Sequence, residues 1–247
     1  MNVNLELTDH CNLRCTMCSQ SLRDEAHGEP HRFMPFQTWV AGIAGLAGLR
    51  DVTLCPHWLG EPTLHPEFDR FAEYAFKENT NNRRFRHFKV HTNAVILPEE
   101  RARLLLRLAT SPHMADDTFL AIHFSIDAFS PAAYAAVKGA DRCDVVYRNV
   151  ERFLTLRAEA RRPVVHLAFV VQDGNHHEVS SFVDHWTGRL RAAGRAPVLT
   201  AEWPPMDQDA IYLRRWNTGD QAHADRLHAE ACSAVGLNAT DRPAGAF

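Results

Sequence analysis

Three cysteines, Cys11, Cys15 and Cys18, fall within the ten residues DHCNLRCTMC near the start of the chain. Thiolates are soft ligands suited to zinc and to iron–sulfur clusters. Three of them on one loop can hold three irons of a cubane cluster and leave the fourth iron open, as a coordination site for a substrate or cofactor. The same residues also allow a structural zinc site completed by His10 or another donor. The sequence opens with Met1 and then polar and acidic residues, nothing like a signal peptide, and no apolar run reaches the length of a membrane span. The expectation is a soluble, cytoplasmic protein, in which the six cysteines (11, 15, 18, 55, 143 and 232) stay reduced and the clustered ones bind metal.

The elements that must position these thiols are legible as two alternating periodicities. VNLELT (3–8), DVTLC (51–55), HFKVHTN (87–93), FLAIHFSID (119–127), VVHLAFVVQ (164–172) and VLTAEW (198–203) read as strands. Helical spacing runs near 36–49, 66–79, 98–110, 144–161 and 177–193, with Pro66 and Pro98 at helix starts and Asn175 with Glu178 as a capping box. Strand and helix in alternation predict an α/β fold of parallel strands, a barrel or an open doubly wound sheet, and six such units fit a partial (β/α)6 TIM-like barrel better than a closed one of eight. The cysteine run then lies on the loop leaving the first strand, at the face where barrels of this kind build their sites.

Parallel strands covered on both faces are usually apolar on both. These are not: Leu120, Ile122, Phe124 and Ile126 share one face, and Ala121, His123, Ser125 and Asp127 the other. The first, third and fifth strands alternate in the same way, so the barrel interior is expected to be wet and polar. His91, His123, His166, Glu6 and Glu202 become candidate substrate contacts. The exposed face of an antiparallel sheet is the other reading of such a pattern.

At 247 residues with 45% apolar content the chain suits one large domain. The net charge of −3, with scattered Lys and Arg, leaves no basic face for nucleic acid, and the run NNRRFRH (81–87) reads as a solvated loop.

With these motifs in view, the sequence resembles the radical S-adenosylmethionine (SAM) enzymes. Their hallmark is a CxxxCxxC run after the first strand of a six-unit partial barrel, which Cys11, Cys15 and Cys18 match. Further resemblances follow in order: LGEP (59–62) to the family's GGEP, with Leu59 in place of the first glycine, HTNA (91–94) to TNG, and SID (125–127) to the strand-four motif. The resemblance implies a [4Fe–4S] cluster on the three cysteines, SAM chelating its free iron, and hydrogen abstraction by a 5′-deoxyadenosyl radical. It implies a SAM pocket drawn from Met17, Gly60, Glu61, Asn93, Ser125, Asp127 and Gln172, with Glu61 taking the SAM amino group. His57 and Trp58 precede LGEP and are placed to shape the cofactor mouth. Cys55 ends the second strand and is a candidate hydrogen donor to a substrate radical, or a small buried residue. A flavodoxin or ferredoxin as electron donor, and a peptide or small polar substrate, complete the expectation, with no nucleic-acid or membrane partner.

The resemblance covers residues 1–205. Its wording, with GEPTLHP and AYAAVKG, is most similar to members carrying a SPASM or twitch extension, whose auxiliary clusters need several more cysteines; after Cys143 only Cys232 remains. The stretch 206–247 is expected to be a tail, helical in AIYLRRW and AHADRLHAEAC and disordered at its end. Such a tail also allows a noncatalytic remnant that keeps a cluster or zinc and works as a binding subunit.

Overall fold

The computed structural model describes residues 1–21, 32–111, 115–158, 160 and 162–238. Among the described residues seven parallel strands form one sheet: β1 (Asn2–Asn4), β2 (Thr53–Cys55), β3 (His87–Thr92), β4 (Phe119–Ser125), β5 (Val164–Val171), β6 (Val198–Thr200) and β7 (Ala210–Arg215), in the order β1-β2-β3-β4-β5-β7-β6. The α-helices that lie wholly among the described residues are α1 (Phe36–Gly45), α2 (Phe68–Asn82), α3 (Glu99–Ala109), α4 (Pro131–Lys138), α5 (Cys143–Arg157), α6 (Val179–Ala192) and α7 (Gln221–Ala234). This is the α/β partial-barrel architecture expected, with one strand more than the six predicted.

The extra strand is AIYLRR, which the sequence reading made helical. Its alternation decides the matter: Ile211 and Leu213 are fully buried in the core, while Tyr212 and Arg214 lie on the opposite face. Its entry is fixed by Asp209, whose carboxylate accepts from the Val165 amide (2.8 Å), Arg157 (2.7 Å) and Arg195 (3.0 Å). The sheet therefore continues past residue 205, and α7 follows as predicted. The polar end expected to be disordered lies, beyond residue 238, outside the described residues.

Boundaries moved for identifiable reasons. β1 stops at Asn4 although Leu5 and Leu7 still donate to the carbonyls of Cys55 (2.9 Å) and Pro56 (3.2 Å). Pro56 has no N–H to return, so the ladder is one-sided there. Helix α4 was not foreseen; Ser130 caps it by accepting from the Ala133 amide, Pro131 opens it and Gly139 (φ 70°) ends it. The Asn175–Glu178 capping box does not form. Asn175 instead donates to the carbonyls of Asp127 and Val170, and Glu178 accepts from the amides of Phe129 and Ser130, so both tie down the loop after β4.

The core lies between the helices and the apolar sheet face, with Leu54, Phe88, Val90, Ile122, Phe124, Leu167 and Phe169 buried against Phe71, Phe153, Phe182 and Trp186. The opposite face carries Cys55, Lys89, His91, His123, Ser125 and His166 toward the barrel interior, as the alternation predicts. Among the described residues no helix is long and apolar enough to cross a membrane.

Candidate active site

The cysteine loop follows β1 and is stitched down on both sides. On one side the LGEP loop packs against it so closely that a Cβ on Gly60 would stand 2.0 Å from the Thr8 carbonyl oxygen and 2.9 Å from that of His10. Only glycine fits such an approach. The Glu61 amide donates to the His10 carbonyl (2.8 Å), and the amides of Leu59 and Gly60 donate to Glu6 Oε1 (2.5 and 2.8 Å). Glu6 is thus a fastener of this loop, where the sequence reading had it as a substrate contact. Glu202, the other such carboxylate, is on an exposed residue.

On the other side the end of α4 holds the loop. Arg14 and Thr16 donate their amides to the carbonyls of Lys138 (3.3 Å) and Val137 (3.0 Å). A Cβ on Gly139 would lie 2.5 Å from the Arg14 carbonyl oxygen. Thr16 Oγ1 also donates to Gln172 Oε1 (2.8 Å) at the end of β5.

Behind the thiols sits Glu61, almost wholly buried. Its Oε1 accepts from Thr63 N (3.1 Å), Thr63 Oγ1 (2.6 Å) and Thr92 Oγ1 (2.8 Å), and its Oε2 from Asn93 N (2.7 Å). Burial pushes this carboxyl above its ordinary range, against the pull of those four donors. Oε2, with a single donor, keeps acceptor capacity for another group. Asn93 spans the gap to the loop: its Nδ2 donates to Asn12 Oδ1 (2.8 Å) and stands 3.8 Å from Cys11 Sγ.

The strand-four motif is occupied from an unexpected direction. The Lys138 ammonium, buried, donates to the Ser125 carbonyl (2.8 Å) and Oγ (3.1 Å) and pairs with Asp127 Oδ2. Ser125 Oγ donates to the same carboxylate (2.8 Å), and Asp127 Oδ1 accepts from Val170 N (2.7 Å). Burial alone would favour the neutral amine, but the Asp127 charge outweighs it and holds Lys138 protonated. Lys138 and Thr92 are the site residues the sequence reading missed. Lys138 lies within AYAAVKG, and its role comes from closing α4, a helix absent from the sequence expectation.

The thiols themselves are free. Burial pushes Cys11 up to about 12, helped by Glu61, Cys15 and Cys18; burial also raises Cys15, offset by Lys138. Among the described residues no three His, Cys, Asp or Glu side chains converge as a set able to hold a metal ion. The donor set nevertheless fits a thiolate-bound cluster: three free thiols on one pinned loop, with Cys15 and Cys18 near enough to Cys11 to raise it. The pocket beside them also has an orphan, since the buried Gln172 Nε2 has no hydrogen-bond partner. Met17 packs at the edge of the core. Cys55 is buried and its thiol, pushed up by burial to about 11 against the pull of Lys89, stays protonated. Cys232 is buried in the core on α7, 3.6 Å from His228 Nε2.

Comparison with known proteins agrees with this geometry. Residues 5–184 match the family model of the Radical SAM superfamily, so the chain belongs to that superfamily. Among solved structures it is similar to native anSMEcpe with bound AdoMet, at 14% identity and a TM-score of 0.62, covering 95% of this chain and 59% of that one. The same protein with bound AdoMet and Cp18Cys peptide gives 13% identity and a TM-score of 0.61, over 95% and 58%. The chain thus spans somewhat under three fifths of anSMEcpe, and the likeness is one of fold. No curated protein sequence matches the chain.

Proposed function

We propose that the protein is a radical SAM enzyme whose Cys11, Cys15 and Cys18 hold a [4Fe–4S] cluster. The observation that carries this reading is the gathering of three free thiols, the Asn93 amide, the Glu61 carboxylate and the unpartnered Gln172 amide at one end of a parallel sheet. When bound, cluster and SAM together supply a 5′-deoxyadenosyl radical able to take a hydrogen atom from a substrate.

The chain's own residues do the positioning. Glu61 Oε2 has room to accept from the SAM amino group while Thr63, Thr92 and Asn93 hold the carboxylate still. The unpartnered Gln172 Nε2 is a donor for a ribose or carboxylate oxygen, and Met17 offers an apolar surface beside the adenine. Gly60 belongs to the pocket by letting the loop backbone come close. Ser125 and Asp127 keep Lys138 beside the cluster loop, where its positive charge favours thiolates. Cys55, protonated and turned to the barrel interior, is placed to return a hydrogen atom to a substrate radical.

The substrate is a peptide or protein side chain or a small polar metabolite, and a flavodoxin or ferredoxin supplies the electron. The wording of the cysteine run and of GEPTLHP supports a SPASM or twitch-like lineage, and the cytoplasm is the compartment proposed. The test is anaerobic reconstitution with iron and sulfide, followed by assay of 5′-deoxyadenosine with dithionite and SAM; iron bound through the three cysteines with nucleoside formed is the expected result.

A further inference from the structure

The polar face of the sheet below the cysteine loop carries two cations, Lys89 and Arg214. Lys89 on β3 is 7% exposed, and its Nζ lies 4.5 Å from the centre of the Trp203 ring. The Arg214 guanidinium, from β7, lies 5.6 Å from the same ring. No carboxylate among the described residues pairs with either. A buried ammonium without a counter-ion is costly to maintain, and proteins that keep one usually have a use for it.

Around these cations stands a row of imidazoles. His91, His123 and His166 occupy one register across β3, β4 and β5. His91 stacks on His123 at 4.0 Å and on His57 at 4.1 Å, and His123 meets His166 edge-on at 6.1 Å. Burial, reinforced by neighbouring positive charge, lowers all four, His57 to about 3 and His166 to about 4, so the row is neutral.

The hydrogen bonds assign tautomers. His57 Nδ1 accepts from the His91 amide (3.3 Å), which leaves its proton on Nε2. His166 Nε2 must donate to the Pro205 carbonyl (3.0 Å), which leaves Nδ1 a bare acceptor. That atom, His123 Nδ1 and His91 Nε2 are buried and without a partner. Buried polar atoms of this kind call for a partner that the protein itself does not supply, a water or a ligand group.

We propose that this face is the substrate-recognition site and takes a small molecule bearing a carboxylate or phosphate, bound by Lys89 and Arg214, with hydroxyl or amine groups hydrogen-bonded to the imidazole row. Calling the ligand the substrate rests on the function proposed above; the anion site itself does not. His91 precedes Asn93 by two residues on the same strand face, one layer or roughly 7 Å below the SAM pocket. Trp203, on the loop from β6 to β7, lies against both cations and 6.4 Å from the His91 ring.

The test uses protein reconstituted anaerobically and saturated with SAM, so that the SAM pocket is filled. Inorganic phosphate and succinate are titrated in by calorimetry, and protection of Lys89 from acetic anhydride is followed by mass spectrometry. At least one anion is expected to bind and to protect Lys89. Lys89→Met and Arg214→Gln should each weaken binding at least about tenfold, as removing one member of a buried charge pair does, and Lys89→Arg should restore most of it. Arg214→Gln lies at a partly exposed position and carries the test if Lys89→Met fails to fold. Absence of binding by both anions, equal binding to wild type and both variants, or displacement by SAM overturns the proposal. Iron content and deoxyadenosine, measured on the same samples, report on the cluster independently.

Discussion

The Asn93 amide lies 2.7 Å from Glu61 Oε2 while the same residue's side chain reaches Asn12 and Cys11, so one asparagine couples the buried carboxylate to the cysteine loop. Asn93→Ala keeps the backbone bond and removes the bridge. It should lower iron retention and SAM affinity with little loss of stability. Glu61→Ala is harsher, because the donors of Thr63, Thr92 and Asn93 are left in a dry site, and should cost about 2–4 kcal/mol by urea denaturation. Equal stability losses for the two variants would contradict this division of labour.

Two glycines set how near the cysteine loop can sit to its supports. Gly60→Ala meets the Thr8 carbonyl at 2.0 Å, and Gly139→Ala meets that of Arg14 at 2.5 Å in a left-handed conformation. Backbone must move in both, at a cost of roughly 1–3 kcal/mol or more. Iron bound per chain after reconstitution should fall in both variants, whereas Gly188→Ala, which has open space in α6, should match wild type.

Asp127 and Lys138 form a buried pair, so loss of one member is worse than loss of both. Lys138→Met and Asp127→Asn should each destabilise the fold by about 3–5 kcal/mol, and the double variant by less than their sum. Additive losses in a double-mutant cycle would mean that the pair is not coupled.

The histidine row makes the protein sensitive to mild acid. His57, His91, His123 and His166 are neutral when folded and gain protons below about pH 6.5 when unfolded. The unfolded chain therefore binds more protons, and stability falls as pH drops from about 6.5 toward the folded values near 3 and 4. The unfolding free energy from urea titration should decline by about 1 kcal/mol or more per pH unit between roughly pH 6 and pH 4. His166→Gln should flatten that slope; an unchanged slope would place the acid response elsewhere.

Much of this was legible in the sequence because parallel strands with one polar face leave an alternating trace, and because the cysteines, Glu61 and Asn93 sit in short local patterns. The histidine row was visible as single residues, but its common register was not, since that depends on pairing between strands. Lys138 escaped because its role comes from where α4 ends, and AIYLRR escaped because its neighbours β5 and β6 are what make it a strand. Glu6 and Glu202 show the opposite error: alternation predicts which way a side chain points, but Glu6 is held by the loop above it and Glu202 lies where β6 has already ended.

Everything proposed for this site depends on the three pinned thiols carrying a cluster that cleaves SAM. The most direct measurement is 5′-deoxyadenosine formed by anaerobically reconstituted protein with dithionite and SAM, alongside iron content, for wild type and a Cys11→Ala, Cys15→Ala, Cys18→Ala triple variant. About four irons per chain with nucleoside produced, both lost in the variant, is the result predicted. Zinc in place of iron, or a cluster that yields no deoxyadenosine with an artificial reductant, would contradict it and favour a noncatalytic metal-binding subunit.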